Sequence, residues 1–207
     1  MNFPIVLCMV GPRQEMRHQL LALAARQSGY FTAAQARDVG YAYAAQKFHA
    51  DHGNWLRIDR GLFRLPEWPM GEHDSLVRWA LWARGKAVVS HETALAAHRL
   101  GDVNPALVDL TAPRGFRATA TGVRIHHAVL PADDVLERGG FRLTTPLRTL
   151  IDVAEGNLDV DLLATAIRDA LDAGVVTRAQ VLRRADSAGE HAELRTIRAL
   201  QLAGETD

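Results

Sequence analysis

The chain has 207 residues, of which 48% are apolar and 23% charged, values ordinary for a globular protein with material for one or two domains and a real core. The single cysteine, Cys8, excludes an internal disulfide and a cysteine-rich metal site. Formal net charge is zero, but it is unevenly spread: eight Lys/Arg face four Asp/Glu from Arg13 to Pro66, and sixteen face twenty from Glu67 to the end. A basic first part joined to an acidic second part fits nucleic acid at one end and a different partner at the other.

In chain order, MNFPIVLCMVGP (residues 1–12) has an apolar run too short to span a bilayer and no basic start or small-residue cleavage site. It reads as a flexible or edge-strand extension, or as the product of an upstream start with Met16 as the alternative. Nothing else approaches membrane length, so a soluble, cytoplasmic protein without a membrane partner is expected. Residues 13–27 form the first helix, with Met16, Leu20, Leu23 and Ala24 at helical spacing and Ser28-Gly29 closing it. Thr32, with Gln35 three residues on, gives a capping box that opens a second helix, and Gly40 stops it. Residues 42–51 form a third helix ended by Gly53. Leu56 and Ile58 then share one face of a strand, and after Arg60-Gly61 a partner strand carries Phe63 and Leu65 on one side and Arg64 on the other.

Two short helices across a tight turn, followed by a ribbon with arginines at its tip and outer face, read as a winged helix-turn-helix over residues 13–66. A helix is narrow enough to enter the major groove and present side chains to base edges. With Ala45 and Phe48 packed inward, Tyr43, Gln46, Lys47 and His49 face out. The Gln46 amide suits adenine, and Lys47 suits guanine or a phosphate. Thr32 and Gln35, with the backbone amides at that helix start, suit a phosphate oxygen. Arg57, Arg60 and Arg64 on the ribbon are placed to neutralise the DNA backbone.

Residues 67–73, within PEWPMGEHD, read as a linker by their prolines and glycine, and residues 74–207 as a mixed α/β domain. Helices are expected over 75–84, 91–100, 147–154, 161–173 and 177–185, with a terminal helix in the last twenty residues. Strands are expected over 87–89, 107–111, 123–129 and 141–144. Asp74 and Ser90 are expected to cap their helices. The whole is therefore a mixed α/β (α+β) chain.

GYFTAAQARDVG, then a helix, then WLRIDRGLFRLP resembles the N-terminal domain of AbiEi-type antitoxins of abortive-infection toxin–antitoxin systems. VVSHETALAAHRLGDVNP, VDLTAPRGFRA and FRLTTPLRTLIDVA resemble the antitoxin domain of that family, so the likeness spans roughly residues 13–186. One departure is that the third helix carries Lys47 as its only full positive charge. The resemblance implies a protein that represses its own operon by binding operator DNA, as a dimer or cooperatively, and counteracts a co-encoded nucleotidyltransferase-like toxin.

No phosphate loop, dinucleotide fingerprint, kinase signature or nucleophile elbow is present. Ser90-His91 sets a hydroxyl beside an imidazole, but adjacent residues on a helix start are expected to point apart. His49 with His52 and His91 with His98 share helical faces without a third ligand, so no metal site is expected. His126 and His127 on one strand point to opposite faces. Arg114 and Arg117 read as a solvated loop or as a grip for the phosphate of a nucleotide or RNA, and Arg148 with Asp152 as a surface ion pair. An antitoxin that modifies its toxin, as an atypical serine/threonine protein kinase using ATP and magnesium, is the alternative. Lys86, Arg114 and Asp152 are its only catalytic candidates, and only an unusual fold would assemble them. Otherwise no cofactor is expected.

Overall fold

A computed structural model describes residues 11–204. The expected N-terminal extension thus lies almost wholly outside the described residues. The fold is mixed α/β, with nine α-helices and two sheets among the described residues. It divides into two compact units, Met1–Leu81 and Trp82–Asp207.

In the first unit the order is α1 (Pro12–Ala25), β1 (Tyr30–Thr32), α2 (Ala33–Asp38), α3 (Tyr43–Asp51), β2 (Leu56–Asp59), β3 (Leu62–Arg64) and α4 (Asp74–Trp82), whose last residue falls at the boundary. The three strands form one antiparallel sheet in the order β1-β3-β2. β1, at three residues too short to show a period-2 pattern, is absent from the sequence reading. The core is aromatic: Phe31 meets Trp55 edge-on at 4.8 Å and stacks on Phe63 at 5.8 Å, with Leu20, Ala24, Ala36 and Leu65 packed around them. Gly40 lies at φ 108° in the turn between α2 and α3, where a Cβ would stand 2.6 Å from Met16 Sδ, so both conformation and space require glycine.

The stretch read as a linker is tied down instead. Trp68 packs against this core, and a Cβ on Gly29 would fall 2.4 Å from its Cγ. Arg64 donates through Nη2 to the Pro69 carbonyl (2.9 Å) and to Asp74 Oδ2 (2.8 Å). Those bonds fix residues 65–74 to β3, and the division between units falls after α4 has all but ended rather than before it begins.

The second unit runs β4 (Val88–Val89), α5 (His91–His98), β5 (Val108–Ala112), β6 (Val123–His127), β7 (Val135–Arg138), β8 (Phe141–Thr144), α6 (Pro146–Glu155), α7 (Val160–Asp172), α8 (Arg178–Ala188) and α9 (Glu190–Gly204). The sheet order is β6-β5-β4-β8-β7, with β5–β6 and β4–β8 parallel and the other pairs antiparallel. The core lies among the helices, through Leu95, Leu150, Val153, Leu163, Ile167, Val181 and Leu200. α6 and α7 are amphipathic, as the period of their apolar residues requires. Thr145 caps α6, and Thr177 with Gln180 forms a capping box on α8.

The pairing sorts the sheet's side chains. Directly opposed residues share a face, so Arg124 and His126 of β6, Asp109 and Thr111 of β5, Val88 of β4, and Arg142 and Thr144 of β8 all lie on one side. Leu110, Val89 and Leu143 lie on the other and are buried.

Candidate functional site

α3 and the β2–β3 ribbon present the most unusual surface of the first unit. Tyr43 is 79% exposed and Phe48 53%, and Ala44, Lys47, Asp51 and His52 are exposed beside them. Phe48 stacks on His52 at 3.9 Å between ring centroids. Lys47 pairs with Asp51 one turn on. The Asp51 carboxyl is held below its ordinary range by its hydrogen bond from Lys47, with the Arg57 charge acting on it too. Arg57 and Arg60 are exposed, Arg60 at the ribbon tip. Ala42 precedes α3 without a side-chain cap, which leaves the first-turn amides of that helix open.

Several residues expected here point elsewhere. Gln46 is 4% exposed, and its Nε2 donates to the carbonyls of Ala33 (3.0 Å) and Tyr41 (2.8 Å). The Tyr41 carbonyl lies in the α2–α3 turn and the Ala33 carbonyl at the start of α2, so the amide ties α3 to both. Satisfying them rotates α3 so that Gln46 goes in and Phe48 comes out, the reverse of the sequence reading. His49 is half-buried, stacked on Trp55 at 4.8 Å and edge-on to Tyr41, and burial followed by the His52 charge lowers its pKa. Arg64 is buried, paired with Asp74 and lying over the Tyr30 ring at 5.2 Å. Thr32 and Gln35 do form the capping box, and this occupies them. Thr32 Oγ1 accepts from Gln35 N, Gln35 Oε1 accepts from Thr32 N, and Gln35 Nε2 donates to Gln27. The Ala33 amide donates to Gly61 O, so the α2 start offers a phosphate little. Of the nine residues expected to meet DNA, Tyr43, Lys47, Arg57 and Arg60 are exposed, Lys47 in its pair with Asp51 and Arg57 lying over the Phe63 ring at 5.7 Å.

The second unit holds a network on the polar side of its sheet. Asp109, 1% exposed, accepts from His126 Nε2 (2.8 Å) and Arg124 Nη1 (3.3 Å), and its amide donates to Thr93 Oγ1 (2.8 Å). His126 stacks on His91 at 3.5 Å. Ser90 does not cap α5. Thr111 Oγ1 donates to Ser90 Oγ (2.8 Å), and Ser90 Oγ and His91 Nδ1 share a hydrogen bond at 3.0 Å. His91 itself takes φ 52° where β4 turns into α5, a conformation costly for a side-chain-bearing residue and frequent at functional sites. That turn brings the adjacent Ser90 and His91 side chains together, against the expectation that they diverge.

Arg148 and Asp152 are not a surface pair. Arg148 donates from Nε to Asp152 Oδ1 (2.7 Å) and from Nη1 to Asp134 Oδ2 (3.3 Å), Arg184 also reaches Asp134, and Asp152 is 3% exposed with Oδ2 unbonded. Burial pushes the Asp152 carboxyl up to about 6 against the pull of Arg148. Burial, then His126, pushes His91 down to about 4. His126 acts on Asp152 and Arg148 on His91, so the two groups belong to one electrostatic cluster. Two titratable groups driven in opposite directions in one cluster mark a functional-site candidate. The Asp109 carboxylate fixes the orientation of the His126 ring, and the Ser90 hydroxyl is fully buried.

The three expected catalytic candidates do not converge. Lys86 lines an open groove of about 520 Å³ with Val88, Thr111, Pro113, Glu137 and Arg142, and Arg114 is exposed on the following loop. The charges that act on Asp152 are Arg148, Glu155 and His126, not these two. No group of three or more His, Cys, Asp or Glu among the described residues is arranged to hold a metal ion. The network residues missed from sequence carried a signal. VDLTA and VRIHH each place two polar side chains two apart, and such alternation on neighbouring strands makes a polar face.

No family model and no curated protein matches the chain. Among solved structures, the RV2827C protein from Mycobacterium tuberculosis is similar in fold, with a TM-score of 0.57 at 13% identity, covering 93% of this chain and 82% of that one. At that identity the likeness concerns the fold alone. No helix among the described residues is long and apolar enough to cross a membrane.

Proposed function

We propose that the first unit is a winged helix-turn-helix that docks α3 in the major groove of duplex DNA and sets the β2–β3 ribbon along the adjacent backbone. The observation that carries this reading is an exposed α3 face, Tyr43, Ala44, Lys47 and Phe48, accompanied by a ribbon whose exposed cations are Arg57 and Arg60. The first-turn amides of α3, which no side chain caps, are donors suited to a phosphate oxygen. The burial of Gln46 and Arg64 narrows the contact set and leaves the docking mode intact.

The chain then acts as the repressor of its own operon and as an antitoxin against a co-encoded nucleotidyltransferase-like toxin. The antitoxin half rests on the resemblance of the VVSHETALAAHRLGDVNP and FRLTTPLRTLIDVA stretches, which meet in the second unit where His98 Nε2 donates to the Thr144 carbonyl at 2.7 Å. A band-shift assay on the duplex upstream of its own gene tests the regulator. The full chain shifts that fragment, and Lys47→Glu with Arg60→Glu abolishes the shift. Co-purification with the product of the neighbouring gene tests the antitoxin: a complex of fixed stoichiometry supports binding, and none argues against it.

A further inference from the structure

The identity of the DNA bases that α3 can read follows from which side chains its exposed face still offers. The Gln46 amide, the one group on this helix that could bond adenine through two hydrogen bonds, is spent on the Ala33 and Tyr41 carbonyls. Lys47 and Asp51, the groups suited to guanine and cytosine, are engaged with each other. What stands forward is mainly apolar: the Tyr43 ring and Ala44 methyl at the N-terminal end of the helix, which reaches base edges most directly, and the Phe48 ring one turn on from Ala44 on the same face. The apolar feature of the major groove is the thymine 5-methyl group. Phe48 is also propped outward, stacked on His52, whose Nδ1 donates to the Phe48 carbonyl at 2.8 Å. The ring is therefore held away from the unit's core and presented as a fixed surface.

We propose that α3 selects its sites chiefly by contact of Phe48, aided by Ala44, with thymine methyl groups. This rests on the docking of α3 in the major groove argued above. It accounts for a face rich in exposed aromatic area and poor in free charge, in which affinity comes from the ribbon arginines and the helix N-terminus while selectivity comes from apolar contact. A protein-binding patch would show the same exposed rings, and the test separates the two.

The full chain is used to enrich duplexes from a random-sequence DNA pool, and the best duplex is remade with 2′-deoxyuridine replacing thymidine at each position in turn. Deoxyuridine pairs as thymine does but lacks the methyl. Affinity is expected to fall about three- to fivefold at each contacted thymine, the effect of losing one buried methyl. The same replacements in Phe48→Ala, an exposed position whose loss leaves the core untouched, are expected to cost almost nothing. Uracil duplexes bound as tightly as thymine duplexes at every position would overturn the thymine reading while leaving DNA binding standing. A methyl effect of equal size in the wild type and in Phe48→Ala would overturn the assignment to Phe48. Failure to enrich any duplex would sink the docking itself, and this inference with it.

Discussion

The two units dispose of their polar side chains in opposite ways. In the first, Gln46, Arg64, Thr32 and Gln35 turn toward the protein and satisfy its own carbonyls, amides and carboxylate, so the surface of α3 is left to aromatic rings. In the second, Asp109, His126, Ser90 and Thr111 gather on one side of a sheet and bond to one another, while the apolar core lies among the helices. A polar residue type is thus a poor guide to an outward-facing contact in a small unit, where each buried backbone group needs a partner and few are within reach.

The sharpest way to break this comparison is at Arg64. If it were a surface cation, Arg64→Ala would change little. As one half of a buried pair with Asp74 it should cost about 3–5 kcal/mol, read as lost hydrogen-exchange protection across β1, β2 and β3, with Arg57→Ala as the near-silent control.

Next comes the opposed pair in the second unit. His91, held at about 4 in the fold against an ordinary 6.5, takes up its proton more readily when unfolded, so its stabilisation is present above pH 6.5 and is lost as pH falls toward 4. Asp152, raised to about 6 from 3.8, acts with the other sign: its contribution is present below pH 3.8 and is lost as pH rises through 6. Each amounts to about 3 kcal/mol at the full shift, and in the wild type they nearly cancel between pH 4 and 6. Denaturant unfolding across that range should therefore show His91→Gln gaining stability on acidification relative to the wild type, and Asp152→Asn losing it. Parallel pH profiles for all three proteins would dissolve the cluster.

Gln46→Ala comes third. It removes the bonds to the Ala33 and Tyr41 carbonyls and leaves a gap in a buried site, and is expected to destabilise the first unit by about 1–3 kcal/mol, whereas a base-reading Gln46 would affect DNA binding and leave stability alone. The smallest effect is also the most diagnostic of the surface. In the proposed docking, Asp51→Asn removes a negative charge from the DNA-facing helix and releases Lys47, so DNA affinity should rise several-fold, most strongly at low salt.

Much of the architecture was legible because it follows from periodicity and punctuation. Thr32 with Gln35 and the Gly40 turn marked α2, and the amphipathic stripe marked α7. The three-residue β1 and the exposed β7 were not, since neither carries a pattern long enough to count. The orientation of α3 failed for a tertiary reason: its phase is set by two carbonyls that no property of residues 43–51 announces. The His91 turn failed likewise, because its left-handed backbone depends on the β4–α5 junction and not on the dipeptide.

The proposed docking of α3 and the ribbon on duplex DNA uses Arg57, Arg60 and a Lys47 that exchanges its pairing with Asp51 for a phosphate. Its most direct test is an anisotropy titration of the full chain with the duplex upstream of its gene over a range of salt concentrations. The account predicts that log affinity falls linearly with log salt at a slope of about −3, reduced by about 1 in Lys47→Ala and again in Arg60→Ala. No binding at low salt, or a slope that both substitutions leave untouched, would contradict it.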